Sequence, residues 1–109
     1  MDATGGFDIH TIMDKDSVIQ KVFVNVAISN DSLMDYEFYF QKDTVIFANI
    51  RAYKENGPDG QKLDTLTDSD FYFENGDLLE RIDRKKTDLE IETVKWLAEM
   101  YFIFSRDYE

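Results

Sequence analysis

The stretch Asp70-Phe71-Tyr72-Phe73-Glu74-Asn75-Gly76-Asp77-Leu78-Leu79-Glu80-Arg81-Ile82 decides the fold. Asn75-Gly76 stands between two extended, apolar-rich runs, and Asn-Gly is the strongest short-range hairpin signal because both residues accept the positive φ of a type I′ turn. The stretch therefore reads as two antiparallel arms, Asp70 to Glu74 and Asp77 to Ile82. In such an arm Phe71 and Phe73 share one face and Tyr72 points to the other.

Two earlier stretches repeat this pattern of apolar residue, polar turn and two aliphatics: Phe40-Gln41-Lys42-Asp43-Thr44-Val45-Ile46 and Met13-Asp14-Lys15-Asp16-Ser17-Val18-Ile19. Glu37-Phe38-Tyr39-Phe40 matches Asp70-Phe71-Tyr72-Phe73 most closely, but the spacing of the three is too uneven for a solenoid. The second hairpin is expected over Leu33 to Gln41 and Thr44 to Tyr53, with Tyr36, Phe38 and Phe40 on one face. The first is expected over Phe7 to Met13 and Val18 to Ile28, with Val18, Val22, Val24, Val26 and Ile28 inward. Val45-Ile46-Phe47, apolar on both faces, predicts a strand central in the sheet or beneath a helix. Lys54 to Lys62, with Gly57, Pro58 and Gly60, reads as a loop.

At Thr87 the period changes to that of a helix of about twenty residues. Thr87 with Glu90 fits a capping box, and Asp88, Glu90 and Glu92 place negative charge at the positive end of a helix dipole. Leu89, Thr93, Trp96, Leu97, Met100, Tyr101 and Phe104 recur at helical spacing, with Ile91, Val94, Ala98 and Phe102 widening the arc, which predicts deep burial. Tyr101 to Phe104 could instead be extended. The fold class expected is α+β: an antiparallel β-meander of about six strands in three hairpins, with a C-terminal helix packed on one face.

A chain of 109 residues, 43% hydrophobic and 15% aromatic, has room for one core. Residues 1–6 are expected to form a flexible segment and residues 7–109 a single domain. The chain has no cysteine, so neither a disulfide nor a thiolate zinc site can form. Twenty-three acidic residues against twelve basic ones give a net charge of −11, which argues against nucleic acid as a partner. The excess is spread along the chain, with 8 acidic and 3 basic residues in 1–50 and 15 and 9 in 51–109. No stretch approaches the ~18 apolar residues of a membrane span. Met1 to Gly6 has no basic or apolar leader character, so the chain is expected to be either cytoplasmic or a periplasmic or secreted domain after removal of its leader.

Residues with chemical potential are few. His10, the one histidine, has no orienting partner or nucleophile nearby in the sequence, and the serines lack a nucleophile-elbow context. Asp14-x-Asp16 begins like a calcium loop, but Val18 and Ile19 occupy the positions where an oxygen ligand and glycine are needed. Asp64, Asp68, Asp70, Glu74, Asp77 and Glu80 form an acidic run, and Arg81, Arg84, Lys85 and Lys86 the one basic cluster beside it. Both read more readily as solvated or mutually paired charge than as an ion site. No catalytic residue, metal ligand or cofactor site is assigned. If Phe38, Phe40, Phe71 and Phe73 face the helix, Tyr39 and Tyr72 project from the other side of the sheet, with Phe23 and Phe47 beside them, and these four are the candidate partner-binding residues.

Glu37-Phe38-Tyr39-Phe40 and Phe71 to Asp83, followed by the helix, resemble small bacterial exported or lipoprotein-type domains with recurring Tyr-Phe, Asn-Gly, Leu hairpins. The Tyr-Phe-x-Asn-Gly-x-Leu phrase is also similar to bacterial MORN-type repeats, without their short spacing and glycine frequency. The resemblance covers roughly Val18 to Glu109 and implies an envelope or secreted location and a binding role; it brings no catalytic residues.

The function expected is therefore a non-enzymatic domain that binds a protein or peptide. Two alternatives are an acidic immunity-type inhibitor of a basic toxin, steered by long-range attraction, and a small-molecule pocket or enzyme lined by Tyr39, Tyr72 and Phe47. For the third hairpin, Gly76→Val is expected to destabilise the domain more than Gly57→Val, because only Gly76 is placed in a tight turn. Equal urea midpoints for the two variants would count against that hairpin.

Overall fold

The computed structural model describes residues 6–27, 32–56 and 62–107. The alternating segments form six strands: β1 (Gly6–Met13), β2 (Ile19–Ala27), β3 (Ser32–Gln41), β4 (Thr44–Asn56), β5 (Lys62–Glu74) and β6 (Asp77–Asp83). They lie in one antiparallel sheet in chain order, followed by helix α1 (Ile91–Asp107). This is the expected α+β meander with its C-terminal helix on one face. Residues 1–5 of the expected flexible segment lie outside the described residues, as do Ile28 and, from the expected loop, Gly57, Pro58 and Gly60, whereas Gly6 already opens β1.

The tight turns follow from local chemistry. Lys42 and Asp43 have φ of 51° and 65°, and Asn75 and Gly76 have 52° and 87°, the pair of positive values that a type I′ turn demands. The first turn is longer. Asp14 Oδ1 accepts hydrogen bonds from the backbone N–H of Asp16 at 2.8 Å and of Val18 at 3.0 Å, so the carboxylate that opens the calcium-like phrase acts as a turn anchor.

Each of these three hairpins carries a β-bulge just beyond its turn. Met13 opposes Ile19 while Ile12 opposes Lys21; Phe40 opposes Val45 while Tyr39 opposes Phe47; Phe73 opposes Leu78 while Tyr72 opposes Glu80. The extra residues are Gln20, Ile46 and Leu79, and all three are exposed. This corrects one expectation. Val18 does not face the core, since Ile19 takes that position at 4% exposure. Val45-Ile46-Phe47 opens β4, which lies centrally in the sheet as expected, with Ile46 as the bulged residue, 37% exposed. A fourth bulge, on the pairing of β4 with β5, leaves Leu66 as the extra residue.

Lys54 to Asn56 and Lys62 are strand, not loop, and β5 begins eight residues before Asp70. The reason is cross-strand pairing of Lys54 with Asp64 and Glu55 with Leu63, which keeps a polar sequence extended.

The core lies between the sheet and the helix. Val22, Val24, Phe38, Ala48, Ile50 and Phe71 from the sheet and Val94 and Ala98 from the helix are fully buried. Full burial of each Val, Ile or Phe side chain contributes roughly 1.5–3 kcal/mol. Tyr101 packs against Tyr36 and Phe38 at 5.7 and 6.3 Å between ring centroids, tilted on the first and stacked on the second, and Phe102 meets Phe40 at 4.8 Å. Tyr101 to Phe104 is helical, and the helix buries a single stripe, Val94, Ala98, Phe102 and Ser105, at i, i+4, i+8, i+11. The deep burial expected from the wide apolar arc is not found, for Trp96 is 59% exposed and Thr93 is exposed as well. A helix with a sheet on only one side has no second surface to cover that arc.

The helix begins at Ile91, after the expected capping box. Val94 N–H donates to the Glu90 carbonyl, which makes Glu90 the N-cap, while the Thr87 hydroxyl accepts the Leu89 N–H at 3.2 Å in a local turn before the helix. Toward β6 the helix-side layer is completed by Arg81, whose guanidinium lies 4.9 Å over the Phe71 ring and pairs with Asp83 at 2.9 Å. The whole molecule is a plate of 46 × 32 × 20 Å.

Lys42 and Asp43 carry in their second-hairpin turn a left-handed backbone that costs L-residues about 1–2 kcal/mol each. Replacing them by the Asn-Gly of the third turn is expected to raise stability by about 1 kcal/mol, read as a higher urea midpoint with unchanged slope. An unchanged or lower midpoint would remove turn strain as a determinant.

Candidate binding face

The sheet face away from the helix is ordered by cross-strand register into three rows. Lys21, Tyr39, Phe47 and Tyr72 oppose one another across β2 to β5; Phe23, Glu37, Asn49 and Asp70 form the next row; Asn25, Asp35, Arg51 and Asp68 the third. All four candidate residues therefore lie on this face. Tyr39 and Tyr72 are 36% and 37% exposed, and Phe23 and Phe47 are half-buried. Phe47 meets Tyr39 at 5.6 Å and Tyr72 at 5.0 Å, edge to face at 68° and 60°. Lys21 joins Phe23 to this ladder, with its ammonium 5.6 Å from the Phe23 ring centre and 5.0 Å from that of Tyr39.

The second and third rows are held by charge. Lys21 pairs with Glu37 at 3.0 Å, and the Glu37 carboxylate and Tyr39 together raise the Lys21 ammonium above its ordinary value. Arg84, just beyond β6, turns back across this face: its guanidinium donates to Asp70 at 2.6 Å and to Asp68 at 3.2 Å, and its backbone N–H donates to the Asp68 carbonyl at 2.9 Å. Asn49 donates to Asp70 at 2.7 Å. Arg84, aided by Asn49, holds the buried Asp70 carboxyl below the usual carboxylate range although burial alone pushes it up. On the helix side, the Ser69 hydroxyl, 2.5 Å from Asp83, and then Arg81 lower the Asp83 carboxyl in the same way.

Beyond the third row lies a groove of about 640 Å³ lined by Asp8, Asn25, Val26, Ala27, Leu33, Asp35, Tyr53 and Leu63. Asn25 donates to Asp35 at 2.7 Å, and Arg51 stands 3.8 Å from Asp35, at the outer limit of an ion pair. Comparison with protein-family models, curated proteins and solved structures returns no match. Among the described residues no group of three or more His, Asp or Glu gathers as a metal site, and no helix is long and apolar enough to cross a membrane. The acidic run and the basic cluster are instead spent partly on each other through Arg84, Asp68 and Asp70.

Sequence reasoning did not name Lys21, Asn49 or Arg84 among the candidates on this face and did not foresee the groove. Parity carries a signal for the first two, since Lys21 is in phase with Phe23 and Asn49 with Phe47 on their own strands. Arg84 lies beyond the end of β6, where no period applies.

The two depressed carboxyls contribute stability that is complete above the ordinary carboxylate pKa of about 3.9 and is lost as pH falls through their native values. Arg84→Leu is expected to lower the urea midpoint at neutral pH and to shrink the further fall on acidification to about pH 3, because Asp70 then no longer ionises more readily in the folded state. Asp83 keeps its own share of the fall. Parallel midpoint-against-pH curves for wild type and variant would refute the assignment.

Proposed function

We propose that the domain is a non-enzymatic binding module that presents the sheet face opposite the helix to a protein or peptide partner. The observation that carries this reading is the contiguous ladder Tyr39, Phe47 and Tyr72, rings in contact at 5.0 and 5.6 Å on a face the helix leaves uncovered. Clustered, half-exposed aromatics with polar groups around them are the composition of interface centres, where a few large rings supply most of the binding energy. The ladder packs ring against ring, which suits contact with a surface better than enclosure of a small molecule. The titratable groups beside it favour binding over proton transfer. Asp70 stays ionised below the usual range and Lys21 stays protonated above its own, each moved away from the neutral region where acid–base catalysts work.

Tyr39→Ser with Tyr72→Ser removes both exposed rings at positions where substitution leaves the helix-side core intact. Used as baits on extract of the source cell, wild type and this variant are expected to differ in one or more retained proteins, while circular dichroism and thermal midpoint show both folded. Equal retention of every captured protein would argue against this face as the binding surface.

A further inference from the structure

We infer that the partner presents an extended cationic segment, with an aromatic or large aliphatic side chain on the Tyr39–Phe47–Tyr72 ladder and an arginine four residues away in the groove beyond Asp35; this rests on the binding-face reading above. Tyr39 and Asp35 are four residues apart on β3, as are Phe47 and Arg51 on β4. At roughly 3.3 Å per residue the ladder and the third row are about 13 Å apart, the reach of four residues of an extended peptide lying along the strands. The middle row, Glu37, Asn49 and Asp70, lies between the two anchor points.

Charge selects the class of partner. The cations of the face already have acidic neighbours: Lys21 has Glu37, Arg51 has Asp35, and Arg84 has Asp68 and Asp70. Acidic groups remain in excess. Asp8 enters the groove from β1, two strands from Asp35, with Asn25 between them in register. Asp35 accepts from the neutral Asn25 amide, and its charge is only loosely matched, since Arg51 reaches it at 3.8 Å and also acts on Asp70. Leu33, Ala27 and Leu63 give the groove apolar walls. A guanidinium on an apolar stem fits such a site, because its planar fork can address two carboxylates while its methylenes cover the walls. The ring faces already hold a cation in Lys21, which shows the same electrostatic preference. A second copy of the chain is a poor occupant, since each carries a net charge of −11.

A random dodecapeptide library displayed on phage, panned at about 150 mM salt, is the probe. It is offered to wild type, to Tyr39→Ser/Tyr72→Ser and to Asp8→Asn/Asp35→Asn. Wild type is expected to enrich peptides with an aromatic or large aliphatic residue four positions from an arginine. The tyrosine variant should not retain them, and the aspartate variant should bind them about tenfold more weakly. Peptides that depend on the tyrosines but show no arginine enrichment, or bind the aspartate variant equally well, overturn the cationic assignment and leave the binding face standing. Peptides indifferent to the tyrosines, or no enrichment at all, overturn both.

Discussion

The bulge that follows the turn in each of the three hairpins is the constraint on which the rest of the molecule depends. Strand side chains alternate strictly, so without an extra residue at Ile46 the segment from Val45 onward would place Val45 and Phe47 on one face. With it, Val45, Ala48 and Ile50 go to the core and Phe47 goes to the open side, between Tyr39 and Tyr72. The same device after β1 brings Ile19 inward, and in the third hairpin it releases Leu79 to solvent. The Ile46 bulge thus adds Phe47 to the tyrosine side of a sheet whose other aromatics are already divided by strict alternation.

The two faces are then stabilised by different physics. The helix side is apolar and closed by packed rings, with Arg81 spread over Phe71 where β6 forms the margin. The open side is held by charge-assisted hydrogen bonds in register, among them Arg84 to Asp70 at 2.6 Å. Such bonds tie β4, β5 and the segment after β6 together without covering the aromatic ladder. The arrangement keeps large rings accessible on a rigid support.

Much of this was legible in the residues. The hairpin turns, the separation of Phe38, Phe40, Phe71 and Phe73 from Tyr39 and Tyr72, and the C-terminal helix follow from period and turn chemistry, and the structure contains each of them. Where reading failed, the cause was an interaction between segments. A bulge cannot be seen in one strand, because it is a mismatch of two. The extension of β5 back to Lys62 depends on what β4 offers opposite it. The exposure of Trp96 depends on the lack of a second layer beyond the helix, and the closure of Arg84 onto Asp68 and Asp70 on the path of the chain after its last strand.

The strand order has a kinetic consequence. Every strand pairs only with its neighbours in the chain, so each β-contact closes a short loop and none requires a distant segment to arrive first. Three hairpins with pre-set turns can nucleate independently and zip outward, and sheets assembled in this way fold faster than those with crossovers. The helix is the exception. It follows the whole sheet in the sequence and reaches back to cover β2, β3 and β4, so until it docks the rings of Phe38 and Phe40 stay wet and the core stays open.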